Sequence, residues 1–175
     1  RNSAQLHALE SCDLGISPTV WQKSQYPQEY NNKIQVLHEG IRTDLVKPNA
    51  RAELQIAGQV FKSGQPIVTY VSRNLEPYRG FHVWMRSLPK LLAEHPTVKV
   101  LVVGGDGVSY GRTLPKGQTY RSMYTQEWPQ GMDQSRVMFL GRIPYSDYVK
   151  LLQVSAVHVY LTYPFVLSWS LRKIP

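Results

Sequence analysis

Cysteine is almost absent: Cys12 is the only one in 175 residues, so no intramolecular disulfide can form, and no Cys/His cluster has zinc spacing. The apolar runs fall far short of the ~20 residues a membrane-spanning helix needs, which argues against a spanning segment. Acidic residues are few, 12 Asp+Glu against 20 Lys+Arg, leaving a net charge of +8 that favours an anionic partner. The bases are scattered, however. Their only adjacent pair is Arg172-Lys173, whereas nucleic-acid binders gather bases into patches or stripes. No low-complexity tract or fixed-period repeat is present, and the single cysteine favours a reducing, cytoplasmic setting. The chain starts at Arg1 rather than Met, as expected of a piece of something longer.

With 42% hydrophobic and 18% charged residues, one globular domain and part of a second are expected. Residues 1–30 form an amphipathic lead-in, with a brief strand at Cys12–Ser17 and a helix start at Ser17-Pro18. Residues 31–175 read as the main domain. Lys33–His38 is strand-like, and alternation around Gly58 predicts a hairpin over 52–62, placed at the edge of the sheet that follows. Ile67–Ser72, Val98–Val103, Val137–Leu140 and Ala156–Tyr160 are short apolar runs of the kind buried parallel strands show.

Between these runs, Phe81, Trp84, Met85, Leu88, Leu91 and Leu92 make one helical face interrupted by Pro89, which should kink it. Asp147–Val154 makes a second, shorter helix, and residues 108–130 read as a long loop with one helical turn near Tyr120. The alternation predicts an α/β fold, a Rossmann-like open parallel sheet with helices on both faces. Ligands of such sheets bind beyond the carboxyl ends of the strands.

Those ends carry the candidate chemistry. Arg73 and Arg79 bracket a strand-to-helix turn, where Gly80 lets the backbone approach a ligand. Paired guanidinium donors and a helix start can clamp a diphosphate there, although two surface arginines, one paired with Glu76, would look the same. Gly104-Gly105-Asp106-Gly107 is neither a dinucleotide fingerprint nor a Walker motif, so a plain tight turn is the simpler reading. Gly141-Arg142-Ile143-Pro144 could present backbone groups to a base, or end one strand and start a helix. The five histidines are dispersed, and no self-contained catalytic set is visible.

Five stretches in order resemble the retaining nucleotide-sugar glycosyltransferases of family 4, which have the two-domain GT-B architecture. They are Val36–Asp44, Tyr70–Gly80, Leu101–Gly107, Phe139–Pro144 and Pro164–Leu171. The resemblance implies that this chain is the donor-binding half, with Arg73 and Arg79 on the donor diphosphate beside Gly80 and Gly104. It places the backbone of Gly141, Arg142 and Ile143 at the base, and Leu167 and Ser168 near the donor sugar. It further implies sugar transfer from a nucleoside-diphosphate sugar to a saccharide, lipid-linked or other acceptor with retention, without a cofactor or metal and without nucleic acid.

The chain departs from the family's paired-Glu element, carrying Phe165 and Lys173 at those positions, which predicts weakened nucleotide affinity. A truncated, inactive fragment that self-associates through uncovered apolar surface is the resulting expectation. The alternatives are a non-enzymatic nucleic-acid or anion-binding module and a nucleotide-sugar epimerase of the same architecture. Membrane-peripheral association is the alternative location.

Overall fold

The computed structural model describes residues 3–162. The chain divides into two compact units, Arg1–Ile41 and Arg42–Pro175. In the first, helix α1 (Ser3–Ser11) precedes strand β1 (Gly15–Ser17), helix α2 (Val20–Ser24) and strand β2 (Ile34–Val36), and the two strands pair in parallel. A small core of Leu9, Tyr30 and Ile34, with Cys12 against it, holds the unit together. Lys33 Nζ donates to the carbonyls of Leu9 and Glu10, satisfying acceptors that the end of α1 leaves open. The helix start expected at Ser17 lies two residues later: Thr19 accepts from the Gln22 amide at 3.0 Å, while Ser17 belongs to β1 and donates to the Thr19 carbonyl.

The second unit begins with a hairpin, β3 (Glu53–Ile56) and β4 (Gln59–Lys62), turning through Ala57 and Gly58, both at positive φ. A four-stranded parallel sheet follows, built of β5 (Ile67–Asn74), β6 (Lys99–Gly105), β7 (Val137–Gly141) and β8 (Val157–Val159), in spatial order β7-β6-β5-β8. Helices α3 (Phe81–Glu94), α4 (Tyr120–Thr125) and α5 (Tyr145–Val154) provide the crossovers, α4 within the long β6–β7 connection. This is the α/β parallel-sheet fold expected from the sequence.

One face of the sheet, with Val68, Tyr70, Val100 and Val102, packs on α3, α4 and Trp128. The opposite face, with Ile67, Leu101 and Val103, packs on α5 and on the hairpin. The hairpin therefore covers a face rather than extending the edge: Leu54 and Phe61, its inward pair, are fully buried there.

α3 continues through Pro89. Proline lacks the N–H that would bond the Met85 carbonyl one turn back, and the indole Nε1 of Trp128 donates to that carbonyl at 2.8 Å instead. At the helix's far end, the Arg136 guanidinium donates to the carbonyls of Leu92, His95 and Pro96, tying β7's approach to the C-terminus of α3.

Candidate functional site

β6 and β7 lie on one side of β5 and β8 lies on the other. The order reverses between β5 and β8, and in open α/β sheets the crevice outside the carboxyl ends at such a reversal is where ligands bind. From β5 the chain enters a 3-10 turn (Pro77–Arg79) and then α3. Gly80 joins them in the left-handed region at φ +71° and serves as the N-cap of α3 without any side-chain cap. The first helical bond is from Trp84 N to Gly80 O, so the amides from Phe81 to Val83 open toward this end of the sheet.

From β8 the chain runs directly against Gly80. A Cβ there would overlap the Leu161 side chain and lie 2.9 Å from its carbonyl carbon, so glycine is required by both space and backbone angle. Pro77, Tyr78, Gly80, His82, Val83 and Leu161 line a hollow of about 350 Å³ at this point.

Arg79 occupies the last position of the 3-10 turn. Its carbonyl accepts from the buried Tyr70 hydroxyl at 2.7 Å, and its guanidinium lies over the Tyr110 ring, 5.3 Å from the centroid. Burial holds the Tyr70 phenol well above its ordinary pKa, so it remains a donor. Arg73 is exposed near the end of β5, where the β5–β6 register shifts between Val71 and Asn74. Such an irregularity re-aims the side chains it contains.

Gly104 is needed for close packing, since a Cβ would sit 2.7 Å from Leu75 Cδ2 and 2.8 Å from the Ser72 carbonyl. Gly141 is needed for its backbone angle, φ +64°, with open space where a side chain would go. The exposed Arg142 reaches across the end of β6, donating to Asn74 Oδ1 at 3.4 Å, whereas Ile143 packs into the α5-side core. The structure thus brings Arg142 to the end of β5 and Gly80 to the crevice, while the Arg79 guanidinium is directed onto the Tyr110 ring. Leu167 and Ser168 lie outside the described residues.

The loop after β6 is tied to the loop after β5 by contacts the sequence reading did not anticipate. Leu75 N donates to the Gly105 carbonyl, and Asn74 Nδ2 to Ser109 Oγ at 2.8 Å. Glu76, fully buried, accepts through Oε2 from three successive amides, those of Ser109, Tyr110 and Gly111, at 2.9–3.1 Å. In place of the alternative in which Glu76 pairs with a surface arginine, the structure shows a backbone nest around one oxygen of the carboxylate. The available signal was its place: an acid between Leu75 and Pro77 at a strand end, in a chain poor in acids. Asp106 is paired with Arg121 at 2.7 Å.

Among the described residues no group of three or more His, Cys, Asp and Glu could hold a metal ion, and no helix is long and apolar enough to cross a membrane.

Residues 1–46 match the model of the glycosyl transferase family 4 group. No curated protein matches the chain. Among solved structures, the chain is similar to sucrose-phosphate synthase from Thermosynechococcus elongatus, with TM-score 0.62, 20% identity and 93% of this chain covered. It is also similar to the pneumococcal O-GlcNAc transferase GtfA, solved with UDP and GlcNAc, with TM-score 0.53, 13% identity and 92% covered. TarM is a third neighbour, with TM-score 0.51, 12% identity and 90% covered. The chain spans 39%, 28% and 27% of these three proteins, respectively. At these identities the likeness is one of fold: the four-stranded unit is a half-domain of the GT-B kind.

Proposed function

We propose that the Arg42–Pro175 unit is the donor-binding half of a retaining glycosyltransferase that transfers a hexosyl group from a nucleoside-diphosphate sugar to an acceptor. The observation that carries this reading is the end of β5 at the reversal of strand order, where the N-terminus of α3 meets the chain leaving β8 across a glycine that admits no side chain, with Arg79 in the turn just before it. The match of residues 1–46 to a glycosyltransferase family, and the glycosyltransferases among the fold neighbours, support it.

In this reading the diphosphate lies over the α3 amides between Arg73 and Arg79, and Arg142 and Ile143 present their backbone to the base. The family resemblance assigns contact with the donor sugar to Leu167 and Ser168, which lie outside the described residues. As the glycosidic bond to the donor breaks, negative charge grows on the leaving diphosphate. The guanidinium groups and the helix N-terminus stabilise it where a metal would otherwise be required. Turnover by this chain alone is not expected, because it spans 39% or less of the enzymes it resembles in fold.

Calorimetric titration with UDP and GDP tests the reading. Wild-type protein should bind one of them saturably. Arg79→Ala should weaken that binding at least tenfold, about the loss of one charge-assisted phosphate contact. Equal affinity in both proteins, or tight binding of RNA with a steep salt slope in place of nucleotide, would overturn it.

A further inference from the structure

Among the described residues Glu76 is the one charged side chain that is buried, and the donor-site reading does not use it. A fully buried carboxylate is costly unless its oxygens receive donors. Here three consecutive backbone amides, those of residues 109–111, converge on one oxygen. The middle one belongs to Tyr110, an exposed residue whose ring lies against the Arg79 guanidinium. Glu76 also opens the turn that carries Arg79, since the Arg79 amide donates to the Glu76 carbonyl at 3.0 Å. One residue therefore holds both the cation, through its main chain, and the ring packed on that cation, through its side chain.

We propose that Glu76 is a positioning residue: by gathering the amides of Ser109, Tyr110 and Gly111 it fixes the Tyr110 ring against Arg79 and so presets that guanidinium for an anionic diphosphate. The inference rests on the reading that Arg79 holds the donor phosphates. Its physical basis is preorganisation, since a long side chain already restrained before binding loses less rotamer freedom when a ligand arrives. The amides of 109–111 are engaged by an internal anion, so this loop acts by orienting a cation rather than by cradling phosphate itself. Asn74, which donates to Ser109 and accepts from Arg142, secures the same loop from its other side.

Two readouts on the full chain separate this inference from the donor-site reading. The first needs no ligand: the ring current of Tyr110 displaces the NMR resonances of the Arg79 side chain. Tyr110→Leu defines the value without a ring, and both Glu76→Gln and Glu76→Asp should move those resonances toward it. The second is titration with inorganic pyrophosphate and with UDP. The Glu76 variants should lose roughly five- to tenfold in affinity, about the worth of one cation–π contact, and should lose no more when Tyr110→Leu is already present.

Arg79 resonances unchanged in the folded Glu76 variants would overturn the inference, as would a Glu76 effect on affinity that persists undiminished beside Tyr110→Leu. Should Glu76→Gln not fold, Glu76→Asp carries both readouts, because it keeps the charge and only draws the oxygens back from the amides. Resonances that move as expected in a protein that binds neither pyrophosphate nor UDP would uphold the positioning role and refute the donor-site reading alone.

Discussion

His158 in β8 lies at the end of a hydrogen-bonded chain that joins β8 to β5. Its Nδ1 is 2.9 Å from Thr69 Oγ1, which is 2.9 Å from Ser155 Oγ, which donates to the Val157 carbonyl. All three contacts are satisfied together only when Nδ1 carries a proton and Thr69 donates to Ser155, which in the neutral ring leaves Nε2 bare. Burial lowers the imidazole pKa from 6.5 to about 4. The sign follows: as pH falls from 6.5 to 4 the unfolded chain takes up a proton that the folded one refuses, so stability falls over that window and this group adds no further loss below it. The fall is worth at most ~3 kcal/mol, less after solvent screening. Urea midpoints at pH 7 and pH 4.5 should differ by less in His158→Asn than in wild type; an equal difference would refute the account.

Legibility at this scale was uneven. Arg79 and Gly80 could be placed at a strand-to-helix junction because the apolar run of β5 ends before them and the helical stripe of α3 begins after them. The place of Glu76 at a strand end was visible, but its partners were not, because they are backbone amides more than thirty residues away and backbone carries no sequence signature.

Among the elements, α3 best shows a defect compensated from outside the helix. Trp128→Phe removes the indole donor and leaves the buried Met85 carbonyl without it, at a cost of about 1–3 kcal/mol in denaturant unfolding. In a Pro89→Ala background the helix supplies its own N–H to that carbonyl, so the same substitution should cost less; an undiminished cost would mean that the indole acts by packing alone. Arg136→Ala should likewise destabilise by about 1–3 kcal/mol, since the carbonyls of Leu92, His95 and Pro96 lose one shared donor, and Arg136→Lys should restore only part of it. Thermal unfolding of the two variants decides this.

The strands and long helices were readable in advance because β5 and β6 bury both faces and α3 buries one stripe, so each leaves its period in the sequence. The hairpin was recognisable as a hairpin but not by its position. Alternation shows that Leu54 and Phe61 share a face, and says nothing of what that face covers. The 106–119 loop was not readable, since side chain-to-backbone bonds to Asn74 and Glu76 order it rather than any periodic pattern.

At the scale of the whole molecule, the +8 net charge draws anions toward the protein without choosing among them. Among the described residues most ion pairs are solvent-exposed, such as Arg42–Asp44 and Lys62–Glu53, and contribute little to stability. What distinguishes one end of the sheet is geometry: Arg79, Arg142 and the α3 N-terminus share it with the reversal of strand order. A diphosphate engaging two or three of these groups should show a shallow salt dependence, losing only a few-fold in affinity between ~50 and ~200 mM salt. Six to ten phosphate contacts on a nucleic acid would instead lose ~10³–10⁵-fold.

The most direct test of the donor site is amide chemical-shift mapping during titration with UDP or GDP. The predicted result is that the largest shifts fall on Gly80 through Val83 and on Leu161, with smaller ones at Gly141 and Arg142. Shifts confined to the Arg1–Ile41 unit, or to the sheet's opposite end around Pro66 and Lys99, would contradict it.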